Sequence, residues 1–236
     1  MLSPIQSLLL VVTGAMLLHA CKKTADAPPL PENRVLQFTV TNVADGPVQG
    51  VINDKDTSIT LYIPYYTALL SLLPVIEVPA GAIVTPASNT LLENWLVKQA
   101  MDTPMIYTVK AKNGSIANYH LHINGQQPDI TVSEFSANAE NPVVVTHKSK
   151  SESVSMGIKG DNLVPNEKIN FVTLVNQAGK GYVLPAKAIY PMTYKNFSVA
   201  IPPDTMDLPS GKYQIRVTCF SQTVKLKNPV IIQQIP

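Results

Sequence analysis

Residues 105–123 constrain the fold more than any other stretch, because apolar and polar side chains alternate along them in two successive runs. Alternation with a period of two is typical of a β-strand that buries one face. A two-residue turn between the runs would place apolar Val109 opposite a polar residue, whereas a three-residue loop, 112–114, pairs Val109 with Ala117. The sequence therefore predicts a β-hairpin with the longer loop, in which Gly114 is left-handed at a G1-type bulge.

Short strands are predicted along most of the remaining chain. The 20 prolines are spread through the sequence rather than clustered, and charged residues make up only 14%. This combination disfavours long helices and suits many short strands joined by proline-containing turns. Outside the hairpin, the predicted strands are 35–40, 58–63, 74–78, 82–85, 153–160, 169–176, 197–201, 213–219 and 230–235.

A single stretch of the sequence predicts a helix. Thr90-Leu91-Leu92-Glu93 has the pattern of a capping box, in which the threonine and the glutamate satisfy backbone N–H groups at a helix start. Apolar residues at helical spacing continue from there through Trp95 to Leu96. The helix should end before Pro104, because the residue before a proline is disfavoured in the helical conformation.

The strands fall into two series, 34–125 and 129–236, which predict two domains separated by a linker at 125–128. The segments LQFTV, ITLYIP and YTVKAKNGS of the first series resemble an immunoglobulin-like β-sandwich repeat that is common in surface lipoproteins of Bacteroidota. The segments GDNL, INFVTLVN and LPSGKYQIRVT of the second series resemble an IPT/TIG domain, another immunoglobulin-like sandwich. The expected fold is therefore all-β, with two tandem immunoglobulin-like β-sandwiches and one short helix in the first.

Residues 1–20 have the composition of an export signal, since an uncharged apolar run extends from residue 5 to residue 18. The run is shorter than the ~18–20 apolar residues of a membrane-spanning helix. Its end resembles the lipobox of bacterial lipoproteins, which here consists of Leu18, Ala20 and Cys21. The resemblance implies cleavage before Cys21 and attachment of acyl chains such as palmitate to that residue. The alternative is an ordinary signal peptide that a cysteine happens to follow.

Residues 21–33 predict a flexible tether behind the lipidated cysteine, because they contain three prolines and few large apolar side chains. The predicted location is the outer membrane, where the lipid anchor holds the protein to the bilayer. The sequence leaves open whether the surface-exposed or the periplasmic face carries it. A net charge of +2 offers no electrostatic footprint for nucleic acid, so no nucleic-acid partner is expected.

Sequence motifs of catalysis and cofactor binding are absent, among them the nucleophile elbow, the zinc-protease helix and the phosphate-binding loop. We therefore expect no enzymatic activity and no cofactor. His120 and His122 share one strand face and could take part in a metal site, but solvent-exposed histidines are the favoured interpretation. Asn53 to Asp56 could form a calcium loop, although a hairpin turn is favoured there. Cys219 alternates with apolar residues and is predicted to be an unreactive core residue.

Aromatic residues are the remaining candidates for ligand contacts. Tyr62, Tyr65 and Tyr66 cluster at a strand end. Exposed rings of this kind stack on sugar faces or on protein partners, whereas the alternative role is packing at the corners of a sandwich. The predicted ligand-binding residues are Tyr65, Tyr66, Tyr190, Tyr194 and Trp95, although the helical stripe of Trp95 also suits a core residue.

The sequence favours a lipid-anchored, non-catalytic envelope protein that binds either a glycan or an envelope protein. The glycan part, as an accessory to polysaccharide uptake at the bacterial surface, is implied only by the resemblance to Bacteroidota lipoproteins. One alternative is a structural or adhesive module whose strand edges or aromatic rings contact other proteins of the outer membrane. Another is an accessory domain pair of an enzyme system, with weak catalysis in its loops.

Overall fold

The computed structural model describes residues 29–148, 153–187, 191–201 and 208–235, with the exception of the Tyr66 side chain. The predicted leader, the lipobox with Cys21, and Tyr190 lie outside the described residues. Within the described part of the chain, no helix has the length and the apolar character needed to cross a bilayer.

Short strands dominate the described residues, as the alternating sequence pattern predicts. One 3₁₀ turn, Tyr65–Thr67, and one helix, α1 (Trp95–Ala100), interrupt them. The strands are β1 (Gln37–Val40), β2 (Val48–Gln49), β3 (Val51–Asn53), β4 (Ser58–Pro64), β5 (Pro74–Glu77), β6 (Ile83–Thr85), β7 (Ile106–Lys110), β8 (Ile116–Gln126), β9 (Thr131–Val132), β10 (Val144–Lys148), β11 (Val154–Asp161), β12 (Asn170–Asn176), β13 (Gly181–Pro185), β14 (Asn196–Ile201), β15 (Gly211–Cys219), β16 (Gln222–Lys225) and β17 (Val230–Ile235).

Strands β1–β8 form the first sandwich. A three-stranded sheet, β2-β1-β5, packs on a five-stranded sheet, β3-β4-β8-β7-β6, in which β4 and β8 are parallel. Phe38 of the small sheet meets Tyr107 of the large sheet edge to face, with the ring centroids 5.2 Å apart. Ile59 and Leu61 are fully buried between the sheets, so the inward residues of β4 fill the core.

The hairpin of β7 and β8 has the predicted register. Val109 pairs with Ala117, and the N–H of Ala111 donates to the carbonyl oxygen of Ser115 at 2.9 Å. Gly114 has a φ of +87°, in the left-handed region that glycine adopts without steric cost. The prediction of a three-residue loop with a left-handed glycine is therefore confirmed.

Strands β9–β17 form the second sandwich. Its six-stranded sheet has the order β10-β17-β15-β12-β13, with β16 beside β15, and it faces a three-stranded sheet, β14-β11-β9. Ile158, Val199, Phe171 and Ile215 are buried and supply core contacts from both sheets. Together the two sandwiches make the all-β, tandem immunoglobulin-like architecture that the sequence predicts.

The predicted start of the helix is wrong. The backbone of Leu92 exchanges two hydrogen bonds with that of Leu72, with N to O distances of 3.0 and 2.8 Å, so Leu92 belongs to a β-bridge. The helix begins only at Trp95, after Asn94 with a φ of +54°. A capping box at Thr90 therefore does not form, because pairing with a distant segment replaces the local capping interaction.

The predicted linker at 125–128 is partly strand, since β8 extends through Gln126. The N–H of Gly125 donates to Oγ of Ser221 at 2.8 Å, and Nε2 of Gln127 donates to the carbonyl oxygen of Cys219 at 3.0 Å. Trp95 of α1 meets Phe220 edge to face, with the ring centroids 5.5 Å apart. The two sandwiches therefore share a direct packing contact, and residues 32–236 form one compact unit.

Candidate ligand-binding groove

Polar side chains line one end of the outer face of the five-stranded sheet. Alternation along β8 turns His120, His122 and Asn124 outward, and all three are exposed. The register of the parallel pair places Thr60 beside His122 and Tyr62 beside Asn124. Tyr62 is 45% exposed, so an aromatic ring stands at the edge of this polar row.

This end of the sheet opens into two adjoining cavities, which we call the junction groove. The larger cavity, of about 590 Å³, lies against the second sandwich and is lined mainly by Thr60, His122, Asn124, Gln127, Asp129 and Gln222. The smaller, of about 370 Å³, lies beside the loop after α1 and is lined mainly by Gln99, Asp102, Pro104, Met105, His120 and His122. His122 borders both cavities, so the groove crosses β8 at this residue.

Two glutamines hold the wall of the groove that the second sandwich provides. Oε1 of Gln222 accepts a hydrogen bond from the N–H of Ile130 at 2.9 Å. Gln127 is held by its bond to the Cys219 carbonyl oxygen and by the N–H of Ser221, which donates to Oε1 at 3.3 Å. Because these amides are bonded to the backbone, this wall is formed before any ligand arrives.

The opposite wall offers side chains with free hydrogen-bonding capacity. Within the described residues, the side chains of Thr60, His120, His122 and Asn124 make no hydrogen bond to the protein. Hydroxyl, imidazole and amide groups each donate and accept hydrogen bonds, which is the capacity that a polyhydroxylated ligand needs. The groove therefore joins a fixed wall to a set of unengaged polar groups.

The charged groups at the groove are carboxylates. Asp102 and Asp129 line it, and among its described lining residues none is lysine or arginine. Oδ2 of Asp102 lies 2.7 Å from Nη1 of Arg216, so an arginine of the second sandwich forms an ion pair with this carboxylate and neutralises its charge. Asp129 has no such cation among the described salt bridges.

The two histidines occupy one exposed face, as predicted, with Ile106 opposite His120. No cluster of three or more His, Cys, Asp or Glu residues in the described part of the chain is placed to hold a metal ion.

The Asn53–Asp56 segment forms the turn between β3 and β4, which agrees with the favoured interpretation. Nδ2 of Asn53 donates to Oδ2 of Asp56 at 2.9 Å. The hydroxyl of Tyr119 donates to Oδ1 of Asp54 at 2.5 Å. Burial and, to a lesser extent, this hydrogen bond raise the pKa of Tyr119 to about 12.

Cys219 is fully buried in β15, as the alternation predicts. Burial raises the pKa of its thiol to about 11, against the smaller effect of the Val164 N–H, which donates to Sγ at 3.0 Å. A protonated, shielded thiol is a poor nucleophile, so this residue packs rather than reacts.

The predicted aromatic residues whose side chains the structure describes, Tyr65, Tyr194 and Trp95, do not form one exposed platform. Tyr65 is half-buried and packs against the core, whereas Tyr194 is 59% exposed. Trp95 is fully buried, and its Nε1–H donates to the carbonyl oxygen of Leu69 at 3.0 Å. Its ring presents no face to a ligand, which corrects its placement among the ligand-binding candidates.

Tyr194 directly precedes, in the chain, a residue that lines a third cavity, of about 430 Å³, on the second sandwich. The next residue, Lys195, lines that cavity and forms an ion pair with Asp161, whose hydrogen bond and positive charge lower the pKa of the Asp161 carboxyl group. Asn196 and Thr131 complete its polar lining. Because the exposed Tyr194 directly precedes a lining residue in the chain, this polar cavity is a second candidate site.

Thr60, Asn124 and Gln222 were not among the residues predicted from the sequence to bind a ligand. Alternation indicates that Thr60 and Asn124 face outward, but it does not indicate that β4 and β8 are neighbours. Gln222 reaches the groove from a strand that the sequence analysis did not predict. The parallel pairing of β4 with β8 brings Thr60 and Asn124 close together, and the packing of the second sandwich on the first adds Gln222.

One family model matches part of the chain. Residues 35–123, which span the first sandwich, match the family model described as SGBP, N-terminal. No curated protein sequence matches the chain.

Several solved structures match the chain at low similarity. A proposed glycoside hydrolase of Bacteroides thetaiotaomicron is 22% identical over 48% of this chain, with a TM-score of 0.34, and the chain spans 30% of that protein's length. The titin A168–A169 structure is 11% identical over 74% of this chain and 94% of its own, with a TM-score of 0.28. Domains 4 and 5 of the S-layer protein SbsC are 15% identical over 83% of this chain and 94% of their own, with a TM-score of 0.24.

Proposed function

We propose that this protein is a lipid-anchored, non-catalytic protein of the bacterial outer membrane that binds glycan as an accessory to polysaccharide uptake. The observation that carries the proposal is the match of residues 35–123 to the SGBP N-terminal family. The junction groove supports it, because its unengaged polar side chains and the exposed ring of Tyr62 suit the hydroxyl groups and apolar faces of sugars.

The lipid anchor rests on the N-terminal sequence. Leu18, Ala20 and Cys21 resemble a lipobox, and the proline-containing segment 22–33 would carry the sandwiches away from the bilayer. The anchor is tested by growth with a labelled palmitate analogue. The native protein should incorporate the label and a Cys21→Ser variant should not, and labelling of the variant would contradict the proposal.

A non-catalytic role agrees with the chemistry of the groove. Glycoside hydrolysis in most families needs two carboxyl groups that flank the scissile bond, one of them free to exchange a proton. Asp102 is paired with Arg216, which leaves Asp129 as the one carboxylate of the groove without a described cationic partner, and the other polar side chains that face the cavities are mainly amides, hydroxyls and imidazoles. This composition suits the retention of a sugar chain.

Glycan binding is tested with the mature chain made soluble by Cys21→Ser. Affinity electrophoresis against a panel of polysaccharides should show retardation by at least one polymer. The single variants Tyr62→Ala and Tyr194→Ala distinguish the groove from the third cavity, and Ile83→Ala, an exposed change elsewhere on the first sandwich, is the control. If no polysaccharide retards the folded protein, the glycan proposal fails.

The alternative is a structural or adhesive module that contacts another protein. One observation favours it. Ile83 and Ile116 are 67% and 57% exposed, and the register places them on either side of Lys110 on the outer face near the edge strand β6. If no glycan binds, a pull-down from envelope extracts with the native protein and an Ile83→Asp/Ile116→Asp variant would test this surface.

A further inference from the structure

We infer that the junction groove binds the interior of an uncharged glycan chain and that the carboxylate of Asp129 selects against polyanionic glycans. The inference rests on the proposed glycan-binding function, to which it adds the class of ligand and the residues that select it.

The charged side chains that line the groove are acidic. Asp102 and Asp129 are its charged lining residues, and no lysine or arginine lines its described part. The side chain of Arg216 is only 14% exposed, and its Nη1 already donates to the carbonyl oxygen of Ala100 at 2.6 Å as well as to Asp102. This arginine is therefore committed to the protein and is not available to an anionic ligand.

A glycan that carries carboxylate or sulfate groups would place negative charges near Asp129 with no cation to offset them. Two like charges 4 Å apart repel by about 1 kcal/mol even in water, and by more near a protein surface. An uncharged sugar is not repelled, and its hydroxyl groups can donate hydrogen bonds to the carboxylate. A carboxylate accepts hydrogen bonds from hydroxyl groups, and charge-assisted hydrogen bonds are stronger than neutral ones.

The position of Asp129 is held by the fold. Its carbonyl oxygen accepts a hydrogen bond from Nδ2 of Asn162 at 2.8 Å, and Gln222 Nε2 lies 3.5 Å from its Oδ1. The carboxylate itself is exposed at the mouth of the larger cavity. It therefore stands as a fixed acceptor rather than as part of a mobile loop.

The groove is open at both of its cavities. The two cavities meet at His122, one beside the loop after α1 and the other beside the second sandwich. Each is open to solvent, and each volume lies within the ~300–1,000 Å³ of ordinary ligand pockets. A chain can therefore lie across β8 and continue beyond the groove, so no chain end is needed for binding.

The unengaged side chains place the centre of the site at His122 and Asn124. Thr60 stands in register with His122, and Tyr62 with Asn124, so hydroxyl, imidazole, amide and aromatic groups meet within two residue pairs. Asn118 offers a matched comparison, because it lies on the same face of β8 outside the groove.

The test measures binding of the soluble mature chain to uncharged polymers such as glucans, xylans and mannans, and to polyanionic polymers such as polygalacturonate and sulfated fucans. We expect retention by an uncharged polymer. His122→Ala and Asn124→Ala should each weaken it about tenfold, whereas Asn118→Ala should leave it within about twofold. Circular dichroism checks that each variant is folded.

Chain interiors are tested with oligosaccharides of increasing length from the polymer that binds. Affinity should rise with length and should be unchanged when the reducing end is chemically reduced or the other end is blocked. Asp129→Lys should raise the affinity for polyanionic polymers, with Asp129→Asn as the smaller change.

The outcomes separate this inference from the proposed function. Preferential binding of polyanionic glycans by the native protein would overturn the inference and leave glycan binding intact. Binding of an uncharged polymer that is insensitive to His122→Ala and Asn124→Ala, or that depends on a chain end, would also overturn it. No binding to any polymer would contradict the proposed function and, with it, the inference.

Discussion

Nη1 of Arg216 lies 2.7 Å from Oδ2 of Asp102 and donates to the carbonyl oxygen of Ala100 at 2.6 Å, so β15 of the second sandwich holds the C-terminal end of α1 in the first. The two bonds differ in environment. The Asp102 side chain is 83% exposed, whereas the Ala100 residue is fully buried. The carbonyl bond should therefore contribute more to stability than the ion pair.

Substitution of the two partners tests this difference. Arg216→Met should lower the free energy of unfolding by about 2 kcal/mol, because the buried carbonyl oxygen loses a charged donor. Asp102→Asn should cost at most about 1 kcal/mol, since it removes only an exposed ion pair. Urea unfolding followed by fluorescence measures both. If the two variants lost the same free energy of unfolding, the hydrogen bond to the Ala100 carbonyl oxygen would contribute nothing beyond the ion pair.

Trp95→Ala should lower the free energy of unfolding by about 3–5 kcal/mol, because it empties a fully buried site and removes the edge contact with Phe220. Trp95→Phe is the control, since it keeps a ring but loses the hydrogen bond to the Leu69 carbonyl oxygen. Thermal unfolding measures the melting temperature of each variant. A fully stable Trp95→Ala protein that had lost only ligand binding would restore Trp95 as a ligand residue.

Gly125→Ala should disrupt the contact between the sandwiches. A Cβ at this position would lie 2.5 Å from the Phe220 ring and closer still to Oγ of Ser221, a spacing that real structures do not tolerate. Overpacking of this kind costs about 1–3 kcal/mol. Gly157→Ala is the matched control, because an added Cβ on β11 meets no atom within 4 Å. Calorimetry should show a lower melting temperature for Gly125→Ala alone, and equal melting temperatures would contradict the packing described here.

Alkaline conditions should destabilise the protein through Cys219. The thiol has a pKa of about 11 in the folded protein and 9.0 as its ordinary value. Between these values the unfolded chain releases a proton that the folded chain retains, so the free energy of unfolding falls as pH rises. The slope approaches about 1.4 kcal/mol per pH unit at most.

Urea unfolding of the soluble Cys21→Ser chain at intervals from pH 8 to pH 10 measures this slope. A Cys219→Ala variant should be less stable at every pH, but its stability should fall less steeply above pH 9. Tyr107 and Tyr119, each with a pKa of about 12, add a further loss above pH 10 in both proteins. An identical slope in both proteins between pH 9 and pH 10 would contradict the prediction.

Local alternation was sufficient for much of the fold. The pairing of Val109 with Ala117 and the burial of Cys219 follow from side chains that point to opposite faces of a strand, and this geometry involves only near neighbours. Short strands such as β10, β13 and β16 were not predicted. The partner of β10 is β17, which is distant in sequence, so no local pattern indicates this pairing. By contrast, β13 and β16 form hairpins with the preceding strands β12 and β15.

The sequence by itself determined the class of fold, the strand faces and the hairpin register, because each depends on interactions between residues close along the chain. Tertiary structure alone decided where α1 starts, since the bridge between Leu72 and Leu92 displaced a local cap. It also decided the junction groove. Thr60, Asn124 and Gln222 meet there only because β4 pairs in parallel with β8 and the second sandwich packs against the end of β8. Contacts between residues so far apart in sequence form only when the whole core is buried, and no local pattern encodes them.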